Sequence, residues 1–485
     1  MVPRMKPHRI LFAFTPVYMN ELSSVPLLSA IAKSKGHFVK VVEIDKDLTA
    51  LKTAMAAFRP DIVAYSMCSV EATRYLEVNR ALKREFTFHA VLGGAHPTFF
   101  PEVIEEDGVD SICVGEGDLA FRSFLNTFGT PDQTTAPNFI FKMADGSLVR
   151  NAQLPLLEDL DSQPFADRAS LYEAKPFLRE TPVKSFFAGR GCPYNCSYCF
   201  NHIYNRMYRG KGTIVRTKSI SYLIREINEV KHTYPMSFVR FHDDIFGIDK
   251  EWLQEFAERF PREVGLPFIC YARPNIITEQ YCALLKQAGC HAIMTAVECG
   301  DEAIRNKTLR RHMSDKTLVN AFRIINESGI RIFSLNMVGL PGEGEAEIRK
   351  TIDLNRQLGT TYACVSIFQP HPGTDLANQC MKANLVRPEQ LGHEGYYQGT
   401  SLNLPQELKD YIYVTHKFFA LFVDYPQLEK LTPLFVRMKL LYGLYAAIYR
   451  VYYGYMVSKK IYPVRYGLIY KLRSLLFMMV SKNKV

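Results

Sequence analysis

From residue 9 to about 128 the chain alternates short apolar runs with segments whose apolar positions recur every three or four residues. The strand-length runs fall at 9–14, 39–44, 61–66, 89–92 and 111–114, and helix-like stretches fill the gaps. This is the pattern of a doubly wound α/β unit with a parallel sheet. Turn residues follow the runs: Thr15-Pro16, Gly93-Gly94 and Gly115-Glu116-Gly117. In such folds ligands sit outside the carboxyl ends of the strands. A cofactor crevice is expected at these loops.

Residues 130 to 180 are polar, dotted with proline and poor in periodicity, which reads as a linker with some local structure. A second alternating series follows, with strands expected at 184–188, 238–242, 267–272, 292–297, 331–337 and 362–368. Amphipathic helices are expected around 217–233, 249–260, 278–288, 314–328 and 343–358. Six strand-helix repeats predict a partial (β/α)6 version of the eight-fold barrel, with its chemistry at the C-terminal ends of the strands. From about 386 the pattern turns helical and irregular. The expected division is a first domain over 1–135, a linker over 136–180, a barrel over 181–385 and a helical region over 386–485.

A length of 485 residues agrees with more than one domain, and 47% hydrophobic with 22% charged residues is an ordinary globular composition. Residues 1–8 lead into the first strand without a long apolar segment or a small-residue cleavage site, so they read as no signal peptide. Eleven cysteines, an odd number and scattered but for one trio, argue against a secreted disulfide framework and for a reducing cytoplasm. The net charge of +10 is uneven: residues 430–485 hold eleven Lys or Arg and no Asp or Glu. The rest is close to neutral.

The trio is Cys192, Cys196 and Cys199, spaced Cys-x-x-x-Cys-x-x-Cys directly after the first barrel strand. Thiolates are the usual ligands of iron-sulfur clusters, and a four-iron cluster takes four. Three local cysteines leave one iron for an outside ligand. Zinc is the alternative, but structural zinc sites pair two ligand couplets, and no second couplet is evident. The other cysteines read as small core residues, with Cys299 left open.

This loop, including Tyr198 before the last cysteine, resembles the signature of the radical S-adenosylmethionine (radical SAM) superfamily. The resemblance implies a 4Fe-4S cluster on Cys192, Cys196 and Cys199. S-adenosyl-L-methionine would chelate the open iron and be cleaved to a 5′-deoxyadenosyl radical, with electrons from a donor such as flavodoxin or ferredoxin. Asp243-Asp244 end the second strand, where family members approach the methionyl amine. Val297-Glu298-Cys299-Gly300 resembles the fourth-strand motif whose carboxylate meets the ribose, and Gly339-Leu340-Pro341-Gly342-Glu343 the segment that lies against adenine. Tyr198, Asp244, Glu298, Gly339, Pro341 and Gly342 are thereby the expected cofactor contacts. Arg273 and Arg310 could reach the carboxylate or serve as surface ion pairs, and single carboxylates after strands are often helix caps.

The first domain resembles the Rossmann-like cobalamin-binding domain that precedes many radical SAM barrels. The matching residues are Gly36-His37, 60–66, Gly93-Gly94-Ala95-His96-Pro97-Thr98 and Val114-Gly115-Glu116-Gly117. Ser66, Gly93, Gly94, His96, Gly115 and Glu116 are the expected cobalamin contacts. The Asp-x-His-x-x-Gly pattern that supplies a lower-face histidine is absent from residues 1–135, which resembles the radical methylases. A domain that keeps the fold and binds nothing is the alternative.

Residues 440–457 carry six tyrosines among aliphatic residues with Arg450 inside, a poor spanning helix but suited to a membrane interface. A helical lid packed on the barrel is the equal alternative; no nucleic-acid module accompanies the charge. The expectation is a cytoplasmic cobalamin-dependent methyltransferase, peripheral at the inner face of the membrane, acting on an unactivated carbon of a small or lipid-like molecule. Radical cyclisation, oxidation or rearrangement is the alternative within enzymes, and a cobalamin or redox sensor the alternative outside them.

Overall fold

A strand apolar on both faces is satisfied only in a sheet covered on both sides, and Arg9–Phe14 (β1) is such a strand, with five of its six residues buried. The computed structural model describes residues 6–16, 21–391 and 396–464. The chain divides into two units, Met1–Thr181 with Tyr204–Arg216, and Pro182–Ile203 with Thr217–Val485.

In the first unit β1 lies between Phe38–Glu43 (β2) and Ile62–Ser66 (β3), followed by His89–Gly93 (β4) and Ser111–Cys113 (β5), all parallel. Ile10 pairs with Val39 on one side and Ile62 on the other. The helices Ser24–Ser34 (α1), Thr49–Phe58 (α2), Ala72–Lys83 (α3), Ala95–Phe99 (α4) and Gly117–Thr127 (α5) make the crossovers. Residues 136–180, expected as a linker, instead supply two antiparallel strands, Phe139–Lys142 (β6) and Leu148–Arg150 (β7), and extend the sheet beyond β5. The apolar run of β6 pairs with β5 and buries Phe139, Ile140 and Phe141, which gives the hairpin its place.

The second unit holds six parallel strands in sequence order: Val183–Phe186 (β8), Phe238–Phe241 (β9), Phe268–Tyr271 (β10), Cys290–Glu298 (β11), Arg331–Val338 (β12) and Tyr362–Ile367 (β13). Helices Ile220–Thr233 (α6), Lys250–Glu263 (α7), Glu279–Gln287 (α8), Asp315–Glu327 (α9) and Glu345–Gln357 (α10) alternate with the strands. Ser219, Asp249, Thr278 and Ser314 cap α6 to α9, each accepting a backbone N–H from the first turn.

Alternation along the strands sorts two cores. Val239, Phe241 and Ile293 face the helices, whereas Phe238, Ala292, Met294, Phe333 and Tyr362 face the other way. The second set is covered by the C-terminal region, where Ala420 of Gln406–Asp424 (α11) and Tyr452, Tyr453 and Met456 of Tyr442–Met456 (α12) pack on it. The lid reading of residues 440–457 therefore describes one face of α12. Residues 468–480, the rest of the expected basic segment, lie outside the described residues.

Candidate active site

The cluster loop starts at Gly191, beyond the end of β8 at Phe186, and two carboxylates just past β9 pin it. Asp243 is buried and accepts the backbone N–H groups of Ala188 and Gly189. Burial pushes its carboxyl up to about 7. Asp244 accepts from the Gly191 N–H at 3.2 Å and from the Asn201 side chain at 2.9 Å, so one carboxylate ties both ends of the loop. The Cys199 N–H donates to the Cys196 carbonyl at 3.2 Å. Ser197 anchors the middle: its N–H donates to the Leu309 carbonyl and its hydroxyl to that of Thr308.

Cys196 is buried, and burial pushes the thiols of Cys192 and Cys199 up to about 11 and about 12. Cys192 also feels Cys196, and Cys199 feels both Cys196 and Cys192. Buried thiols stay protonated unless a cation takes the charge, and iron supplies that cation. Among the described residues no three His, Cys, Asp or Glu side chains converge on a single ion-sized point. A cuboidal cluster asks for a different arrangement, one thiolate on each of three irons. The donor set fits it.

Around the trio lies a layer of buried charge. Tyr198 donates its hydroxyl to Glu298 Oε1 at 2.8 Å, and Arg311 Nη1 donates to both, at 2.8 Å to the phenol and 3.1 Å to the carboxylate. Arg311 Nη2 reaches the Ala296 carbonyl at 2.9 Å. Glu298 has φ +66°, left-handed for a residue with a side chain, where β11 slips register against β12. Such strain persists where the surroundings hold it and clusters at functional sites. Arg273 lies 3.7 Å over the Tyr194 ring, directs Nη1 to the Cys196 sulfur at 3.5 Å and donates through Nη2 to the Arg311 carbonyl. Among the described residues, Nε of Arg273 and Nε of Arg311 are buried without a hydrogen-bond partner. Two guanidiniums with orphaned donors beside the trio fit a ligand bearing a carboxylate, as S-adenosylmethionine does.

The remaining expected contacts sort clearly. The Gly339–Glu343 loop folds on its own acid: Glu343 Oε2 accepts from the N–H of Gly339 at 2.6 Å and of Leu340 at 3.0 Å, and Oε1 accepts from the Cys299 thiol at 3.7 Å. Pro341 and Gly342 form the turn between them, Pro341 partly exposed and Gly342 exposed. Arg310 is an exposed partner of Asp375 at 2.8 Å and stays outside this layer. Arg311, one residue on, enters it. The sequence gives no sign of that, since residues 309–313 lie in coil without periodicity.

In the first unit the strand order β2-β1-β3-β4-β5 places a topological switch between β1 and β3, where ligands of such sheets bind. Ser66, at the end of β3, is 2.8 Å from the Ser24 hydroxyl. Gly93 and Gly94 end the neighbouring strand. A Cβ on Gly94 would stand 2.7 Å from the Met67 carbonyl oxygen and 3.2 Å from Ser66 Oγ, so only glycine lets the two turns touch. His96, half-buried in α4, meets Ser69 Oγ at 3.1 Å and the ring of Phe100 at 5.1 Å, and burial lowers its pKa. This rim of small residues fits a large planar ligand approaching backbone. Gly115 and Glu116 are committed inside the unit instead. Glu116 pairs through both oxygens with Arg216, at 2.8 and 3.0 Å, and its N–H donates to the Tyr208 hydroxyl at 2.9 Å.

Residues 187–354 match the model of the radical SAM superfamily, and residues 23–125 that of the B12 binding domain. An uncharacterized methyltransferase of Pyrococcus horikoshii is 24% identical over 358 residues, 72% of this chain and 76% of that protein. A solved structure of the radical S-adenosylmethionine methyltransferase TsrM from Kitasatospora setae, with cobalamin and a 4Fe-4S cluster bound, is similar at a TM-score of 0.63 and 18% identity, over 77% of this chain and 75% of that one. The cobalamin-dependent S-adenosylmethionine radical enzyme OxsB, with aqua-cobalamin bound, gives a TM-score of 0.68 at 14% identity over 98% of this chain and 76% of that one. At such identities the likeness to these structures is one of fold.

Proposed function

The chain belongs to the radical SAM superfamily and carries a B12-binding domain in front, and from that premise we propose that it transfers a methyl group to an unactivated carbon of a small molecule. The observation that carries this reading is a thiol trio held by Asp243 and Asp244 at the mouth of a six-stranded barrel, in one chain with a B12-type sheet. The similarity to an uncharacterized methyltransferase of Pyrococcus horikoshii supports it.

The cofactors are a 4Fe-4S cluster, S-adenosylmethionine and cobalamin. When bound, they supply an electron, a 5′-deoxyadenosyl radical that abstracts hydrogen from the substrate, and the methyl group. The protein's part is to hold and orient. Cys192, Cys196 and Cys199 hold the cluster. Arg273 and Arg311 would hold the carboxylate of S-adenosylmethionine, with Tyr198, Asp244, Glu298, Gly339, Pro341 and Gly342 around the rest. Ser66, Gly93, Gly94 and His96 edge the cobalamin crevice, while Gly115 and Glu116 hold its wall through Tyr208 and Arg216. A small electron carrier such as flavodoxin or ferredoxin would supply the electron.

The C-terminal region supports peripheral membrane contact. Leu444, Val451 and Tyr455 are exposed and fall on one side of α12 at helical spacing, Leu440 is exposed just before the helix, and Lys439 and Lys459 flank them. Among the described residues no helix is long and apolar enough to cross a membrane.

Anaerobic reconstitution with cobalamin, reductant and S-adenosylmethionine tests the reading. The expected result is 5′-deoxyadenosine that disappears in Cys196→Ala, and label passing from the methyl group of S-adenosylmethionine into product. Cleavage without label transfer would replace methylation with cyclisation or rearrangement. Sedimentation of the full chain and of its Leu444→Ser/Val451→Ser variant with anionic liposomes tests the membrane contact; equal partitioning refutes it.

A further inference from the structure

Helix α11 buries an imidazole and an ammonium that no step above uses. His416 is fully buried, and among the described residues neither ring nitrogen has a hydrogen-bond partner. Its ring centre lies 5.5 Å from that of Tyr397 and 5.2 Å from that of Tyr449. Lys417, also buried, donates to the Tyr397 carbonyl at 2.6 Å and stands over the rings of Tyr413 and Tyr449 at 5.1 and 5.3 Å. The two adjacent residues therefore address the same pair of tyrosines.

Among the described residues no carboxylate lies within ion-pair reach of this ammonium. The charge that acts on it is a like one, Arg450, and burial with that repulsion lowers its pKa to about 8. A buried cation without an anion is costly, and an uncharged side chain of similar volume would serve packing as well or better. An imidazole with two silent nitrogens adds to that cost. A bound group with acidic oxygens removes both penalties: it accepts from the protons of Lys417 Nζ that the Tyr397 carbonyl does not use, and from the N–H of His416. Tyr397 and Tyr449 add apolar walls.

We propose that His416 and Lys417, with Tyr397 and Tyr449, form a subsite for an acidic group, carboxylate or phosphate, on a small-molecule ligand of the barrel unit. That this ligand is the substrate rests on the enzymatic reading above; that the subsite exists does not.

The test uses the full chain and three probes at matched ionic strength: benzoate, phenyl phosphate and neutral benzyl alcohol. Thermal unfolding is expected to shift upward, saturably, with one or both anions and not with the alcohol, and which anion acts names the acid. In Lys417→Met the shift is lost, while the ligand-free Tm equals or exceeds that of the wild type because a buried cation has gone. The His416 ring resonance, assigned by its absence in His416→Gln, is expected to move on titration of the wild type with the same anion, which keeps the test independent of the lysine variant. The subsite is refuted by an equal response to benzyl alcohol, by no response, by a shift that survives in Lys417→Met, or by a Lys417→Met chain less stable than wild type. Cleavage of S-adenosylmethionine by the wild type is read separately, so failure of the subsite and failure of the enzymatic reading are distinct results.

Discussion

Tyr198 and Glu298, separated by 100 positions in the chain, meet in a 2.8 Å hydrogen bond that Arg311 completes from the other side. The residue before the last cluster cysteine is thereby locked to the end of the fourth barrel strand. The three groups are unequal: the phenol is neutral, whereas the carboxylate and guanidinium are a buried ion pair. Tyr198→Phe is expected to cost about 1 kcal/mol of stability, the worth of one hydrogen bond. Glu298→Ala strands Arg311 and is expected to cost about 3 kcal/mol. Denaturant unfolding of the two variants gives the ranking, and equal losses contradict it.

The neighbouring arginines separate in the same way. Arg310 forms an exposed pair with Asp375, so Arg310→Ala is expected to change stability by less than about 0.5 kcal/mol and to leave the yield of 5′-deoxyadenosine intact. Arg311→Ala is expected to lose both. A comparable loss in Arg310→Ala would bring that residue into the site.

Gly115 sets a steric test in the first unit. A Cβ at this position would stand 2.1 Å from the Tyr208 hydroxyl oxygen and 3.1 Å from its ring carbon, at φ +89°. Gly115→Ala is expected to destabilise by roughly 2 kcal/mol or more, through backbone strain and overlap together. In Tyr208→Phe the nearest atom is gone, so the double variant is expected to lose less than the sum of the two singles. Additive losses would place the whole cost in the backbone.

These relationships mark the limit of what the sequence holds. The cysteine spacing, the strand alternation and the capping residues Ser219, Asp249, Thr278 and Ser314 act within a few residues and can be read locally. The hairpin of β6 and β7 had a local signal too: Asp145-Gly146 between two apolar runs, hidden by the polar stretch around it. Arg311, and the hold of Arg216 on Glu116, had none. Each is a partner chosen by the fold from residues many positions away. The buried pair of α11 was missed for the opposite reason, since apolar periodicity there hides two polar residues at core positions.

Arg273 bears on the electron. Its Nη1 approaches the Cys196 sulfur at 3.5 Å, and hydrogen bonds and positive charge at cluster sulfurs favour the reduced state. Arg273→Met is expected to leave iron and sulfide content unchanged after reconstitution and to move the cluster midpoint to lower potential in a spectroelectrochemical titration. Arg273→Lys restores charge without the fork and is expected to fall between. An unchanged midpoint would confine Arg273 to holding Tyr194 and the Arg311 carbonyl.

Glu343 gives the loop against β12 a pH dependence whose sign follows from its burial. Burial raises its carboxyl from 4.5 to about 8, while the N–H groups of Gly339 and Leu340 and the Cys299 thiol pull the other way and Glu347 pushes it further up. The unfolded chain ionises first as pH rises, so the folded state loses stability between about pH 4.5 and 8 and is level above that. Glu343→Gln keeps the acceptor for both N–H groups and cannot ionise. Its stability is expected to match wild type near pH 4.5 and to exceed it at pH 8.5 by up to about 4 kcal/mol, from urea unfolding at the two values. A variant less stable than wild type at pH 8.5 would mean that the buried carboxylate is held by more than the two backbone donors and the Cys299 thiol that face it.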